Sequence, residues 1–152
     1  MKIIEIDVNL KYVTQKHILH GVNCQGVAGA GVALLLRQMH PKMFIEYTAH
    51  CALFKDKKEE LLGTIQVVDC DKKVIINGFT QLNYGASRQQ VDYDALRKVF
   101  KAVNKYAKEN SITEIVMPKI GSGLGGGDWN EIVKIIEEES IDFQPVVSIK
   151  SK

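Results

Sequence analysis

Two glycine-rich runs and one histidine are the residues of this chain whose types and spacing could do chemistry. Gly26-Val27-Ala28-Gly29-Ala30-Gly31 and Gly121-Ser122-Gly123-Leu124-Gly125-Gly126-Gly127 each follow a run that reads as a strand and precede one that reads as a helix. In an α/β sheet such a junction lies at the carboxyl end of a strand, the edge where ligands usually bind. Glycine lets the main chain approach a ligand closely and adopt positive φ, so N–H groups can converge on phosphate oxygens. The helix that follows adds unpaired N–H groups and the positive end of its dipole. Tight turns alone would account for either loop, but two at equivalent topological positions favour a clamp on a diphosphate.

Familiar nucleotide and phosphate motifs do not fit. Gly121, Gly123 and Gly126 satisfy GxGxxG, yet the following strand ends Ser148-Ile149-Lys150, without the acidic residue that would hold a ribose. No GxxxxGK[ST] occurs, and none of the cysteines has an arginine six residues downstream. Asp69-x-Asp71 resembles an aspartyl-phosphate signature, but its position in a hairpin turn favours a role in satisfying main-chain N–H groups. His17 and His20 fall on opposite faces of a strand, and His40 and His50 stand alone, so no metal site is expected.

His20 lies on the strand entering the first glycine run, three residues before Asn23. Beside a phosphate clamp a histidine can act as general acid or base, its ordinary pKa being ~6.5. Residue type alone favours a core histidine bonded to a main-chain carbonyl. Regular strand spacing would put His20 and Asn23 on opposite faces. Asp7, at the end of the first strand, suits either an adenine amine or a strand-end turn. Asp128 with Glu131 reads as a helix N-cap and capping box, and Trp129 as part of a core stripe.

The elements that must hold these residues follow from apolar patterning. Strands are expected at residues 3–8, 18–23, 65–68, 74–79, 115–120 and 146–149. Helices are expected at 32–39, from Pro41 to about Phe54, at 92–110, and after Trp129. The short turn Asp69-Cys70-Asp71-Lys72 makes its two strands antiparallel. Strands interspersed with helices, plus one hairpin, imply an α/β layered sandwich around a mixed sheet.

Composition narrows the function classes. The 152 residues suit a single domain, and 45% hydrophobic with 25% charged residues is an ordinary globular balance. With 20 Lys plus Arg against 18 Asp plus Glu there is no basic field, which argues against nucleic acid as a partner. Three cysteines without a CxxC pair fit a reducing compartment. The start, Met1-Lys2-Ile3-Ile4-Glu5-Ile6-Asp7, places acids where a signal peptide needs an apolar stretch, and no run is long enough to span a membrane. A cytoplasmic location is therefore expected.

The run from His20-Gly21-Val22-Asn23-Cys24 through Gly29-Ala30-Gly31-Val32-Ala33 resembles the first ligand loop of macrodomains. Met117-Pro118-Lys119-Ile120-Gly121-Ser122-Gly123-Leu124, followed by Trp129, resembles their second, and the likeness covers almost the whole chain. It implies a three-layer α/β/α sandwich that binds ADP-ribose. Asp7 and Val8 would then lie at the adenine, although Ile6 replaces the glycine that commonly precedes the aspartate. Asn23 would lie beside the distal ribose, and Gly29, Ala30, Gly31 and Val32 would form the first diphosphate loop. Ser122, Gly123, Leu124, Gly125 and Gly126 would form the second. His20-x-x-Asn23-Cys24 and Phe79-Thr80 most resemble the ADP-ribose-1″-phosphate phosphatases, which have a histidine implicated in activity at the position of His20. A sister group frees ADP-ribose from glutamate with a lysine and an aspartate where this chain has Gln81 and Gly125. The last strand also lacks the aromatic residue often found near the ligand.

The expectation is one domain over residues 1–152 that hydrolyses ADP-ribose 1″-phosphate, with His20 catalytic and neither metal nor cofactor. Its alternatives are a non-catalytic ADP-ribose-binding module and an ADP-ribosyl-ester hydrolase with relocated catalytic groups. Oligomeric state is left open.

Overall fold

The computed structural model describes residues 1–85, 89–123 and 125–150. Along the chain run β1 (Ile4–Ile6), β2 (His17–Asn23), α1 (Gly31–Met39), α2 (Pro41–Ala52), β3 (Ile65–Asp69) and β4 (Val74–Gln81). Then follow α3 (Tyr93–Glu109), β5 (Glu114–Met117), α4 (Trp129–Glu139) and β6 (Gln144–Ser148). The six strands form one sheet in the order β1-β6-β5-β2-β4-β3. All neighbours are parallel except β3 and β4, the expected hairpin.

Strand alternation divides the core between the two faces. Ile18 and Val22 of β2 and Ile75 and Phe79 of β4 pack with Leu36 of α1 and with Met43 and Tyr47 of α2. Leu19 and Ile76, one residue out of phase, pack with Leu96, Val99 and Phe100 of α3 and with Ile132 and Ile136 of α4. This is the three-layer α/β/α sandwich around a mixed sheet.

The differences from the expected boundaries have local causes. β1 stops at Ile6, and after it Asn9 Oδ1 accepts from Lys11 N at 2.9 Å as a 3-10 turn, Leu10–Tyr12, begins. β5 stops at Met117 because Pro118 has no N–H to continue the ladder. In the hairpin, Asp69 Oδ1 accepts from Asp71 N at 2.9 Å, the structural role read for that pair. Asp128 caps α4 through Asn130 N, but Glu131 does not close a capping box. Its side chain meets Lys134, and Asp128 N donates to Tyr93 Oη, 35 residues away, at 2.9 Å.

The carboxyl ends of β1, β6, β5, β2 and β4 share one edge of the sheet. From that edge the chain leaves β2 toward α1 on one face, and leaves β4 and β5 toward α3 and α4 on the other. Connections diverge there and open a crevice above adjacent strands, the usual ligand position in α/β sheets.

Candidate functional site

A cleft of about 670 Å³ fills that crevice. Its walls come from the ends of β2 and β4, the loop into α1 and the loop after β5. His20, Asn23, Gly29, Ala30, Gly31, Val32, Gly123 and Gly125 all line it, so both glycine runs reach one space. Ser122 lies outside the lining, and its Oγ donates to Lys119 O at 2.7 Å. Gly126 is also outside, and Leu124 falls beyond the described residues. Asp7 and Val8 are exposed just past β1, separated from β2 by two intervening strands along the same edge, and do not touch the cleft. At ~4.8 Å per strand, three strand spacings separate β1 from β2 by roughly 14 Å.

The first loop is built for an anion. α1 starts after Ala30 with no side-chain cap and no acid in its first turn, leaving its leading N–H groups to the cleft. Gly31 has φ +60°, a conformation that disfavours a side chain. The described lining contains no carboxylate and one lysine, Lys119, whose Nζ lies 5.9 Å from the Trp129 ring centroid. Those residues present no negative side-chain charge to an anion.

Asn23 braces this loop from within. Its Oδ1 accepts from Gln25 N at 2.9 Å, Val27 N at 3.3 Å and Tyr47 Oη at 2.9 Å, while Nδ2 donates to Val27 O at 2.8 Å. The expected opposition of His20 and Asn23 does not occur, because the β2–β4 register shifts between Val22 and Asn23. That irregularity turns Asn23 toward Tyr47 of α2, the face to which His20 also belongs. Nothing in the residues around Asn23 marks such a shift. Tyr47, a buried partner 24 residues downstream, likewise carries no local signal of its contact with Asn23.

The second loop is held by chain arriving from elsewhere. Gln90 N and Val91 N donate to Gly125 O at 2.7 and 3.0 Å, and Gly127 N donates to Gly121 O at 2.8 Å. A Cβ at Gly125 would lie 2.7 Å from Gly121 O, so this position needs glycine for packing. At Gly29 and Gly123 a Cβ would meet nothing within 4 Å of the protein. Those two glycines leave room for something other than the chain itself.

His20 is 1% exposed and lines the cleft. Its Nε2 lies 2.6 Å from Asn77 Oδ1, and its Nδ1 is buried without a protein partner. Burial pushes the imidazole from 6.5 down to about 4, with the Asn77 hydrogen bond opposing that shift. The ring is therefore neutral at pH 7, not poised near neutrality as its residue type suggests. Thr80 Oγ1, also in the lining, is buried and unpartnered too. Besides His20 the described lining offers only Lys119 and Tyr84 as titratable groups. Beneath the loop, burial pushes the Cys24 thiol up to about 12, so no thiolate nucleophile forms there. No helix among the described residues is long and apolar enough to cross a membrane.

Known proteins resemble this chain in sequence and in fold. A DNA ADP-ribosyl glycohydrolase of Mycobacterium tuberculosis is 31% identical over 120 residues, covering 76% of this chain but only 32% of that protein. The chain thus corresponds to about a third of the mycobacterial relative's length. An ADP-ribose 1″-phosphate phosphatase of Candida albicans is 28% identical over 131 residues, covering 80% of each chain. In fold, the macrodomain of Mycobacterium tuberculosis DarG superposes with a TM-score of 0.81 at 24% identity, covering 98% of both chains. The Macro domain sequence profile matches residues 19–136, which include most of β2, all of β5, both glycine loops and most of α4. By that match, and by the cleft its two loops enclose, the chain belongs to the Macro domain family.

Proposed function

We propose that the cleft binds ADP-ribose 1″-phosphate and hydrolyses it to ADP-ribose and inorganic phosphate. The observation that carries the reading is His20 Nδ1, a buried ring nitrogen without a partner in the cleft that both glycine loops enter. The diphosphate would lie between Gly29–Val32 and the loop containing Gly123 and Gly125, with adenine directed toward Asp7 and Val8. The distal ribose would lie near Asn23. A neutral imidazole keeps one N–H and can take a proton on the lone pair of its other nitrogen. In this reading His20 takes a proton from the attacking water as the oxygen bonds to phosphorus. The bond between phosphorus and the ribose oxygen breaks, its electron pair leaves on that oxygen, and the proton passes there. The likeness to phosphatases such as that of Candida albicans supports this substrate.

The test is phosphate release by the wild-type protein and by His20→Ala, with ADP-ribose affinity measured in parallel. General acid–base catalysis contributes typically 10²–10⁴-fold, so turnover should fall at least about a hundredfold while ADP-ribose still binds. Near-normal turnover by His20→Ala would leave that residue structural. A second reading, cleavage of an ADP-ribosyl–nucleic acid linkage, is favoured by the identity to the mycobacterial glycohydrolase. It predicts release of ADP-ribose from modified DNA and none of phosphate from the monoester.

A further inference from the structure

The hydrogen bonds behind His20 form a chain with a fixed direction. Gln66 of β3 donates from Nε2 to Glu46 O, a main-chain carbonyl of α2, at 3.0 Å. A carbonyl oxygen can only accept, so the Gln66 amide has one allowed orientation, with Oε1 turned the other way. Asn77 Nδ2 donates to that Oε1 at 3.0 Å. Asn77 must then present Oδ1 to His20 Nε2, at 2.6 Å. An amide oxygen also only accepts, so the hydrogen between them belongs to Nε2. Reversing either amide would set oxygen against oxygen, at Glu46 or between Gln66 and Asn77. Asn77 is fully buried, so water cannot relieve such a mismatch cheaply.

We propose that Asn77 is a positioning residue that holds His20 as the Nε2–H tautomer and so presents a bare Nδ1 lone pair to the ligand. The direction originates at the Glu46 carbonyl and passes through two amides to the imidazole. Neither amide can ionise at neutral pH, so the relay fixes a tautomer without placing a charge beside the ring. The chemical class that fits the presented atom is a hydroxyl or a water, which must arrive as donor. The wider consequence, that this lone pair serves phosphate-ester hydrolysis, rests on the reading under Proposed function. The tautomer itself does not.

Imidazole ¹⁵N NMR of the wild-type protein reads the tautomer directly. The expected spectrum has a protonated Nε2 and an unprotonated Nδ1 for His20 at pH 7, and Nδ1 should move toward the hydrogen-bonded range when ADP-ribose is added. A protonated Nδ1, a tautomer mixture, or an Nδ1 signal indifferent to saturating ADP-ribose would overturn the proposal. Asn77→Leu removes the acceptor and should introduce an Nδ1–H population, lowering kcat about tenfold or more with ADP-ribose affinity within about twofold of wild type. Unchanged kcat in a folded Asn77→Leu protein would refute the positioning role. Should Asn77→Leu fail to fold, the wild-type spectra still decide. Absence of phosphate release by the wild-type protein would defeat the proposed substrate, while the spectra would still decide the tautomer.

Discussion

Acidification should charge His20 only at the expense of the fold, and the size of that effect can be worked out. In the unfolded chain the imidazole protonates near 6.5, whereas burial holds the native ring down to about 4. Between those values the unfolded state binds more protons than the native state, so stability falls as pH falls. The contribution is complete above pH 6.5 and is lost as pH drops toward 4. A difference of about 2.5 pKa units corresponds to about 3 kcal/mol. Urea denaturation of wild type and His20→Gln between pH 7 and pH 4 isolates it. Carboxylates and the other histidines titrate in both proteins and cancel in the difference. The wild-type advantage over His20→Gln should shrink by about 3 kcal/mol across that range. Parallel curves for the two proteins would show that native His20 protonates as freely as the unfolded one, and would refute a neutral imidazole.

Three further outcomes follow from the cleft. Gly29→Val and Gly123→Val should weaken ADP-ribose binding at least about tenfold in calorimetric titration, about 1.4 kcal/mol, with little change in melting temperature. Their Cβ positions are clear of protein atoms, whereas Gly125→Val collides with Gly121 O and should lower the melting temperature as well. Glutamate-linked ADP-ribose should not be released efficiently, because Gln81 and Gly125 offer no amine and no carboxylate at the positions to which the resemblance assigns the ester hydrolases' lysine and aspartate. Release as fast as phosphate hydrolysis would overturn that expectation. Phosphate release should continue in EDTA, since the described residues include no group of three His, Cys, Asp or Glu able to hold an ion. Loss of activity with rescue by a divalent ion would contradict it.

The parts legible in the sequence were those with local signatures. Both strand–glycine–helix junctions could be read because apolar runs and helical periodicity flank the glycines, and the β3–β4 hairpin because its turn is short. Asn77 was not legible as a partner of His20, since it lies 57 residues away within a buried strand. Tyr47 and Gln66 were hidden for the same reason, each acting across elements that only the fold brings together. The failed capping box shows the same limit, with Tyr93 taking the N–H that Glu131 was expected to bond. Nor could residue type forecast the low pKa of His20, which comes from the packing around it. Asp7 and Val8 follow the first strand as its apolar run implies, but their distance from the cleft is set by a strand order that no local pattern encodes.

The most direct test of the central claim is ³¹P NMR of ADP-ribose 1″-phosphate incubated with the purified protein. The phosphomonoester resonance should give way to inorganic phosphate while the two diphosphate resonances persist, and His20→Ala should slow this at least about a hundredfold. A monoester resonance that survives prolonged incubation with protein shown to bind ADP-ribose would contradict it.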